Sequence, residues 1–308
     1  MRIVFMGTPD FAVPSLRALA AAHDVALVLT RPDAVRSRGK KLEPSPVKAA
    51  ALELGLPVLE AKRMEPEVVD ALRAARADVF CVAAYGCILP DEVLTMAPLG
   101  CVNVHASLLP RWRGAAPIQR AILAGDAEAG VSIMRIGHGV DTGAYCAQAS
   151  CSVAGKSADE LTSELAELGA GLLLEVLPEL AAGTVSWTEQ DEALVTHAAK
   201  IQKAELRLDP AASAADNERR ALASSDAAPA RCMLAGKPVR VLAARVAPVS
   251  GAVLAAGELA IQGGRVLLGC GEGALEVLEL KPDGKRAMDA AAWAAGQRGA
   301  AVTWEALS

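Results

Sequence analysis

Arg2-Ile-Val-Phe-Met-Gly-Thr-Pro-Asp-Phe-Ala-Val-Pro-Ser-Leu-Arg-Ala-Leu-Ala-Ala-Ala22 opens as a short apolar run and turns, at Gly7 and Pro9, into a stretch dense in alanine and leucine. Arg2–Met6 reads as a buried strand and Pro14–Ala22 as a helix. The junction carries one glycine where a dinucleotide-binding turn needs three for close approach to a pyrophosphate, so no NAD or FAD site is expected. Gly7 and Pro9 suit a tight strand-to-helix turn, with substrate contact as the other use of the same residues.

The same pair of signals repeats downstream. Strand-like runs at Val25–Thr30, Asp78–Ala83 and Cys101–His105 alternate with helix-like stretches at Pro46–Leu54, Pro66–Arg76 and Ala115–Ala124. That rhythm predicts an α/β, Rossmann-like, mostly parallel sheet with helices on both faces. Asp10 and Asp91 stand near helix starts, and Gly55 suits a stop. A longer amphipathic helix fits Ser157–Leu180. Periodicity weakens from Gly183 to Glu205, and short β segments follow at Pro238–Val246, Ala252–Ile261, Arg265–Gly269 and Leu275–Leu280, with a helix at Met288–Gln297. The expected organisation is a catalytic domain over 1–185, a linker over 186–205 and a smaller OB-like β-barrel over 206–308.

A length of 308 residues exceeds one ordinary core, in keeping with two domains. A hydrophobic content of 53% against 22% charged argues against disorder over most of the chain. Met1–Met6 is too short an apolar run for a signal sequence, and no run approaches the roughly 20 residues that cross a bilayer. The seven cysteines form no Cys-x-x-Cys pair and have no histidine at metal-ligand spacing, so no metal is expected. Reduced thiols and a cytoplasmic setting are the reading, with a monomer as default.

The net charge of −5 hides an asymmetry. Residues 206–308 carry 12 Lys and Arg against 11 Asp and Glu, leaving the front at −6, yet residues 31–48 of that acidic front hold six basic side chains and two acidic ones. Local charge governs phosphate binding, so an anionic partner is compatible with the sum.

Two segments carry the chemistry. In Gly100-Cys-Val-Asn-Val-His-Ala-Ser-Leu-Leu-Pro-Arg-Trp-Arg-Gly-Ala-Ala-Pro117, Asn103 and His105 are two apart and share one face of a strand, near its carboxyl end, where open α/β sheets bind ligands. In Gly137-His-Gly-Val-Asp-Thr-Gly143 three glycines frame Asp141. Taken singly, the histidine suits an ordinary packed position and the carboxylate a surface turn.

Together the two segments resemble the folate-dependent formyltransferases, whose signature is Asn-x-His-x-Ser-Leu-Leu-Pro followed downstream by Asp-Thr-Gly. Arg38-Gly-Lys-Lys-Leu-Glu-Pro-Ser-Pro-Val-Lys48, Ala84-Tyr-Gly-Cys-Ile-Leu-Pro90 and Pro110–Gln119 are similar to the branch of that family that acts on a charged tRNA. The likeness runs through most of residues 1–205 and thins afterwards, and Ile136-Gly-His-Gly-Val140 replaces the acidic residue and leucine usual before the Asp-Thr-Gly. The resemblance implies transfer of a formyl group from a reduced folate, 10-formyltetrahydrofolate, to the amine of initiator methionyl-tRNA, with catalytic Asn103, His105 and Asp141. It implies that Ser107, Leu108, Leu109 and Pro110 border the folate and that backbone around Tyr85, Gly86, Ile88 and Leu89 closes the pterin pocket. Arg38, Lys40 and Lys41 are the candidates for tRNA phosphates.

Formyl transfer needs a neutral amine, a stabilised oxyanion and a proton for the departing nitrogen. Asn103 can donate to the oxyanion, His105 can donate a second hydrogen bond, and Asp141 can fix the imidazole and take up the amine proton through water. The formyl carbon is open to direct attack, so Cys101 and Ser107 are not expected as nucleophiles. Formyltransferases for a glycinamide or amino-sugar nucleotide, and formyl-folate hydrolases, share the Asn, His and Asp. Neither needs a basic loop or a hundred-residue β tail. A non-catalytic RNA- or folate-binding protein would have no use for an intact triad.

Overall fold

The computed structural model describes residues 1–35, 42–248, 254–297 and 303–307. The chain divides into two compact units. One comprises Met1–Pro117, Glu128–Ser152 and Thr162–Ala198, and the other Ile118–Ala127, Val153–Leu161 and Ala199–Ser308.

The first unit is built on seven strands: β1 (Arg2–Gly7), β2 (Asp24–Thr30), β3 (Val58–Glu60), β4 (Val79–Ala83), β5 (Cys101–His105), β6 (Glu128–Arg135) and β7 (Tyr145–Ser152). Their order is β7-β6-β5-β4-β1-β2-β3. β1 to β5 are parallel, β6 runs antiparallel to β5, and β7 antiparallel to β6. The order 3-2-1-4-5 places the topological switch between β1 and β4, the position at which such sheets bind ligands. There the Thr8 hydroxyl donates to the Tyr85 carbonyl at 3.0 Å. A Cβ on Gly7 would lie 2.8 Å from Ala12 Cβ and 3.0 Å from the Ala83 carbonyl oxygen, so close packing at the turn demands glycine.

Both faces of the sheet are covered. Helices α1 (Val13–Ala22), α2 (Pro46–Glu53) and α3 (Pro66–Ala75) follow the first three strands. Val4 and Met6 share a core with Leu72 of α3, while Ile3 and Phe5, pointing the other way, are equally inaccessible. Alternate side chains of one strand buried on opposite faces are the mark of a doubly covered sheet. Beyond the short α4 (Pro117–Ala124), the long helix α5 (Ala158–Ala182) starts with a reciprocal cap in which the Ser157 amide donates to Glu160 at 2.8 Å and the Glu160 amide donates to the Ser157 hydroxyl at 3.3 Å. At Gly169 a Cβ would meet Val104 Cγ1 at 2.5 Å, so a small residue lets the helix close onto β5.

The second unit holds a curled antiparallel sheet: β8 (Arg231–Leu234), β9 (Lys237–Val246), β10 (Leu259–Gln262), β11 (Arg265–Gly269), β12 (Ala274–Pro282), β13 (Met288–Asp289) and β14 (Trp304–Ala306). The order is β10-β11-β12-β9-β8-β14, with β13 on β12. A bridge between Glu258 and Thr303 and the bond from the Trp304 amide to the Gly257 carbonyl, 2.9 Å, join the two outer strands, so the sheet curls round into the OB-like barrel expected. Trp304 fills its interior, 1% exposed, with its indole N–H on the Gly269 carbonyl at 2.8 Å. Helices α6 (Ala214–Leu222) and α7 (Ala290–Ala295) pack residues Ala214, Ala221, Ala290 and Trp293 into this core.

The strand expected over Ala252–Ile261 is confined to β10, and residues 249–253 lie outside the described part.

Candidate active site

β5 positions the first two groups. Asn103 pairs with Val82 and Met134, and His105 with Ser132, so both side chains leave the same face two residues apart. Asn103 is the one half-exposed residue of an otherwise buried strand. Among the described residues its amide makes no hydrogen bond to the protein, which leaves both donor hydrogens for a ligand. His105 is 6% exposed. Its Nε2 lies 3.1 Å from the Trp112 carbonyl, and a carbonyl only accepts, so Nε2 carries a hydrogen. Nδ1 faces Asp141 Oδ2 at 3.6 Å.

Asp141 reaches the imidazole from the turn after β6, which folds back on itself. At φ 54° it occupies the left-handed region, at a cost of about 1–2 kcal/mol that Asp tolerates better than most residues. The turn is pinned at Gly143, where a Cβ would stand 1.8 Å from the Arg135 carbonyl oxygen. Oδ2, the oxygen nearest His105, also accepts the Gly114 amide hydrogen at 2.9 Å. Trp112, at φ 63°, is a second left-handed residue, so both partners of His105 sit on strained backbone.

Sequence reasoning assigned residues 186–205 to a linker and missed what they do. The Gln190 side chain, 8% exposed, donates to the carbonyls of Asp141 at 2.9 Å and Gly143 at 2.7 Å and accepts from Arg113 Nε at 2.8 Å. Arg113, 5% exposed, pairs with Glu192 at 2.9 Å. The Trp112 amide donates to Thr196 Oγ1 at 2.9 Å. His197–Ala198 bridges in parallel with Arg113–Gly114, and a Cβ on Gly114 would lie 2.9 Å from the Ala198 carbonyl oxygen.

The residues expected around a folate separate into two sets. Tyr85 and Leu89 belong to the buried core, Tyr85 with its hydroxyl 3.4 Å from the Ala61 carbonyl and its ionisation pushed up by burial. Gly86, at φ 77°, holds Arg31 through its carbonyl at 2.8 Å, and Ile88 is 87% exposed. In the second segment the Ser107 hydroxyl donates to the Arg111 carbonyl at 2.6 Å and the Ser107 carbonyl accepts from Ser132 at 2.6 Å, so its polar groups are spent on the loop. Leu109 is buried, its amide donating to Ser132 Oγ at 3.1 Å and its carbonyl accepting from Gln148 at 2.9 Å. Leu108 and Pro110 remain half-exposed. Val140 is 70% exposed, and His138 in the same turn pairs with Asp91 at 3.1 Å. Arg38, Lys40 and Lys41 lie outside the described residues. Burial pushes the Cys101 thiol up to about 12, far from a nucleophile's range. Among the described residues no three His, Cys, Asp or Glu side chains gather as a metal site, and no helix is long and apolar enough to cross a membrane.

A free amide donor, a buried imidazole and a carboxylate stand beside the carboxyl end of a doubly wound sheet, where α/β enzymes hold their ligands and in the residue types that acid–base chemistry uses. The chain belongs to the formyl transferase family: the family model matches residues 1–177, and that of the formyl transferase C-terminal domain matches residues 200–298. It is 48% identical, over 94% of its length and 96% of the relative's, to the methionyl-tRNA formyltransferase of Paracoccus denitrificans, and 47% identical, over 94% and 95%, to that of Methylococcus capsulatus. Among solved structures, HypX from Aquifex aeolicus in complex with tetrahydrofolic acid shares the fold at a TM-score of 0.65 and 18% identity, over 95% of this chain and 46% of that one.

Proposed function

We propose that the chain transfers the formyl group of 10-formyltetrahydrofolate to the amino group of initiator methionyl-tRNA. The observation that carries this reading is identity near 48% to a methionyl-tRNA formyltransferase along 94% of the chain, the β tail included.

The residues divide the reaction as follows. The neutral amine attacks the formyl carbon, and the Asn103 amide, without a hydrogen-bond partner among the described residues, donates to the oxygen as it becomes anionic. A single donor of that kind is worth roughly 10²–10³ in rate. His105 reaches the same oxygen by exchanging the Trp112 carbonyl for it. The carboxylate of Asp141 holds the imidazole and takes the proton shed by the amine through water, which returns to the departing folate nitrogen. Ile88 and Val140 offer exposed apolar surface against which a flat pterin and its benzoyl extension would rest. Arg38, Lys40 and Lys41 are proposed to hold tRNA phosphates, and residues 206–308 to share tRNA binding with them while residues 1–185 carry the chemistry. With all site groups on one chain and all seven thiols free, a cytoplasmic monomer is the proposed working form.

The test is a formylation assay with 10-formyltetrahydrofolate and three acceptors: charged initiator tRNA, charged elongator tRNA and a free amino-sugar nucleotide. Preference for the initiator by two orders of magnitude or more is expected. Equal use of the sugar nucleotide would overturn the assignment.

A further inference from the structure

The two groups that bracket His105 are both held from one segment, residues 190–196. Trp112 supplies a carbonyl to Nε2 and Asp141 a carboxylate to Nδ1, and each sits in the left-handed region that side chains seldom adopt. Such conformations persist only where surrounding contacts over-determine them. Those contacts are the side chains of Gln190 and Thr196. Gln190 places its two amide hydrogens on the carbonyls of Asp141 and Gly143, on either side of Thr142. Thr196 accepts the Trp112 amide hydrogen, and its own carbonyl accepts the Arg113 amide hydrogen at 2.9 Å. Arg113 joins the two halves by donating to Gln190. Gln190 is the buried exception in a run whose neighbours from Glu189 to Leu194 are exposed, and polar side chains are buried when their bonds are satisfied.

We infer that Gln190 and Thr196 are positioning residues for formyl transfer, which set the Asp141 carboxylate and the Trp112 carbonyl against His105 without touching either substrate. The inference rests on His105 and Asp141 carrying the chemistry. A side chain that only braces the fold would change the melting temperature and the folded fraction. One that aims a reacting group lowers kcat in fully folded enzyme and leaves both KM values in place.

The experiment compares Gln190→Leu, Gln190→Glu, Thr196→Val and Thr196→Ser with Asp141→Asn and with a core control, Leu173→Ala, in the full-length protein at 20 °C. Leu173 is 1% exposed in α5. Gln190→Leu keeps the volume and loses both donors. Gln190→Glu keeps the acceptor for Arg113 but turns an oxygen toward two carbonyls. Both are expected to lower kcat 10- to 100-fold, with KM for donor and acceptor within twofold of wild type. Thr196→Val is expected to lose about tenfold, and Thr196→Ser, which keeps the hydroxyl oxygen, to recover at least half the wild-type rate. Leu173→Ala should melt at a lower temperature than either Gln190 variant and yet turn over within twofold per folded molecule. Gln190 variants within twofold of wild-type kcat, or losses that track melting temperature along the Leu173→Ala trend, would overturn the inference. If Asp141→Asn is fully active, the assignment of the chemistry itself has failed.

Discussion

Replacing Asp141 by asparagine removes a unit charge while leaving an oxygen where Oδ2 now stands. That oxygen serves two partners, the Gly114 amide at 2.9 Å and His105 Nδ1 at 3.6 Å, and an asparagine carbonyl oxygen can keep the first. The backbone tolerates the change, because Asn enters the left-handed region at least as readily as Asp, and the φ of 54° is retained. What is lost is the negative charge that takes up the amine proton. At 3.6 Å and an effective dielectric near 20, two unit charges attract by about 4–5 kcal/mol. The attacking amine gains positive charge as the oxyanion develops, and an interaction of that order with the carboxylate is realised only at the transition state, so kcat should fall by about three orders of magnitude. Single-turnover formylation of initiator tRNA measures the step, and melting curves with titration of the reduced folate supply the controls. Melting within about 2 °C of wild type and unchanged folate affinity are expected. Turnover within tenfold of wild type would refute the charge argument, and unfolding of the variant would show that Asp141 serves the turn. Losses at Asn103, His105 and Asp141 should also fail to add, since the three act on one oxyanion and one proton.

Gly143→Ala should cost about 3 kcal/mol and at least a hundredfold in turnover, because its Cβ would fall 1.8 Å from the Arg135 carbonyl oxygen and the Asp141 turn must move, a result read from denaturant melts and kcat. In the barrel, Glu276 on β12 is buried between Arg265 at 2.7 Å and Arg245 at 2.8 Å, and the Arg265 guanidinium, aided by Arg245, holds its carboxyl at about 2. A depressed carboxyl contributes stability that is complete above the unfolded value near 4.3 and lost as pH falls through 2, so on the order of 2 kcal/mol should vanish between pH 5 and pH 2. Glu276→Gln should flatten the stability profile in that window, and an unchanged slope would contradict the pairing. Arg38→Ala should slow formylation of tRNA tenfold or more with folate binding intact, and neutralising Lys40 and Lys41 should give a shallower salt dependence of tRNA binding; wild-type rates across a salt range would reduce the loop to a connector.

The trio proposed for catalysis stood out through two motifs, Asn103-x-His105 on a strand and the glycine-framed Asp141. Asn103 and His105 share a face at a spacing of two, but their roles, like that of Asp141, came from the resemblance. The parallel half of the sheet was equally legible, since β1, β2 and β4 are mostly apolar runs ending at turn residues and β5 interrupts its own only with Asn103 and His105. β6 and β7 were not foreseen. Glu128–Arg135 is buried on both faces and shows no alternation, whereas Ala147–Ser152 does alternate small apolar with polar residues, a weak period of two that lacks the large β-branched and aromatic side chains of a typical strand. Helix α6 was passed over although Ser213 caps it through the Asp216 amide at 3.0 Å, a signal that the polar composition of Ala214–Leu222 masked. Gln190 and Thr196 had no signal at all. Their bonds run to backbone atoms brought close by the tertiary fold, and a glutamine among exposed polar residues looks the same whether or not it finds such partners. Arg113 offered the only clue, a cation in a loop otherwise short of acidic neighbours.

The parallel bridge between His197–Ala198 and Arg113–Gly114, with its clearance beneath Ala198 that only glycine satisfies, bears on how such proteins can be recombined. A chimaera that exchanges tails between relatives would naturally be joined just after α5, where helical structure ends at Ala182. A junction there replaces Gln190, Thr196 and Ala198 with residues selected against another chain's loop, and the hybrid would fold while its carboxylate stood askew. Joining after Ala198 instead exchanges Ala199–Ser308 and keeps Gln190, Thr196 and Ala198 in the same chain as Arg113 and Gly114.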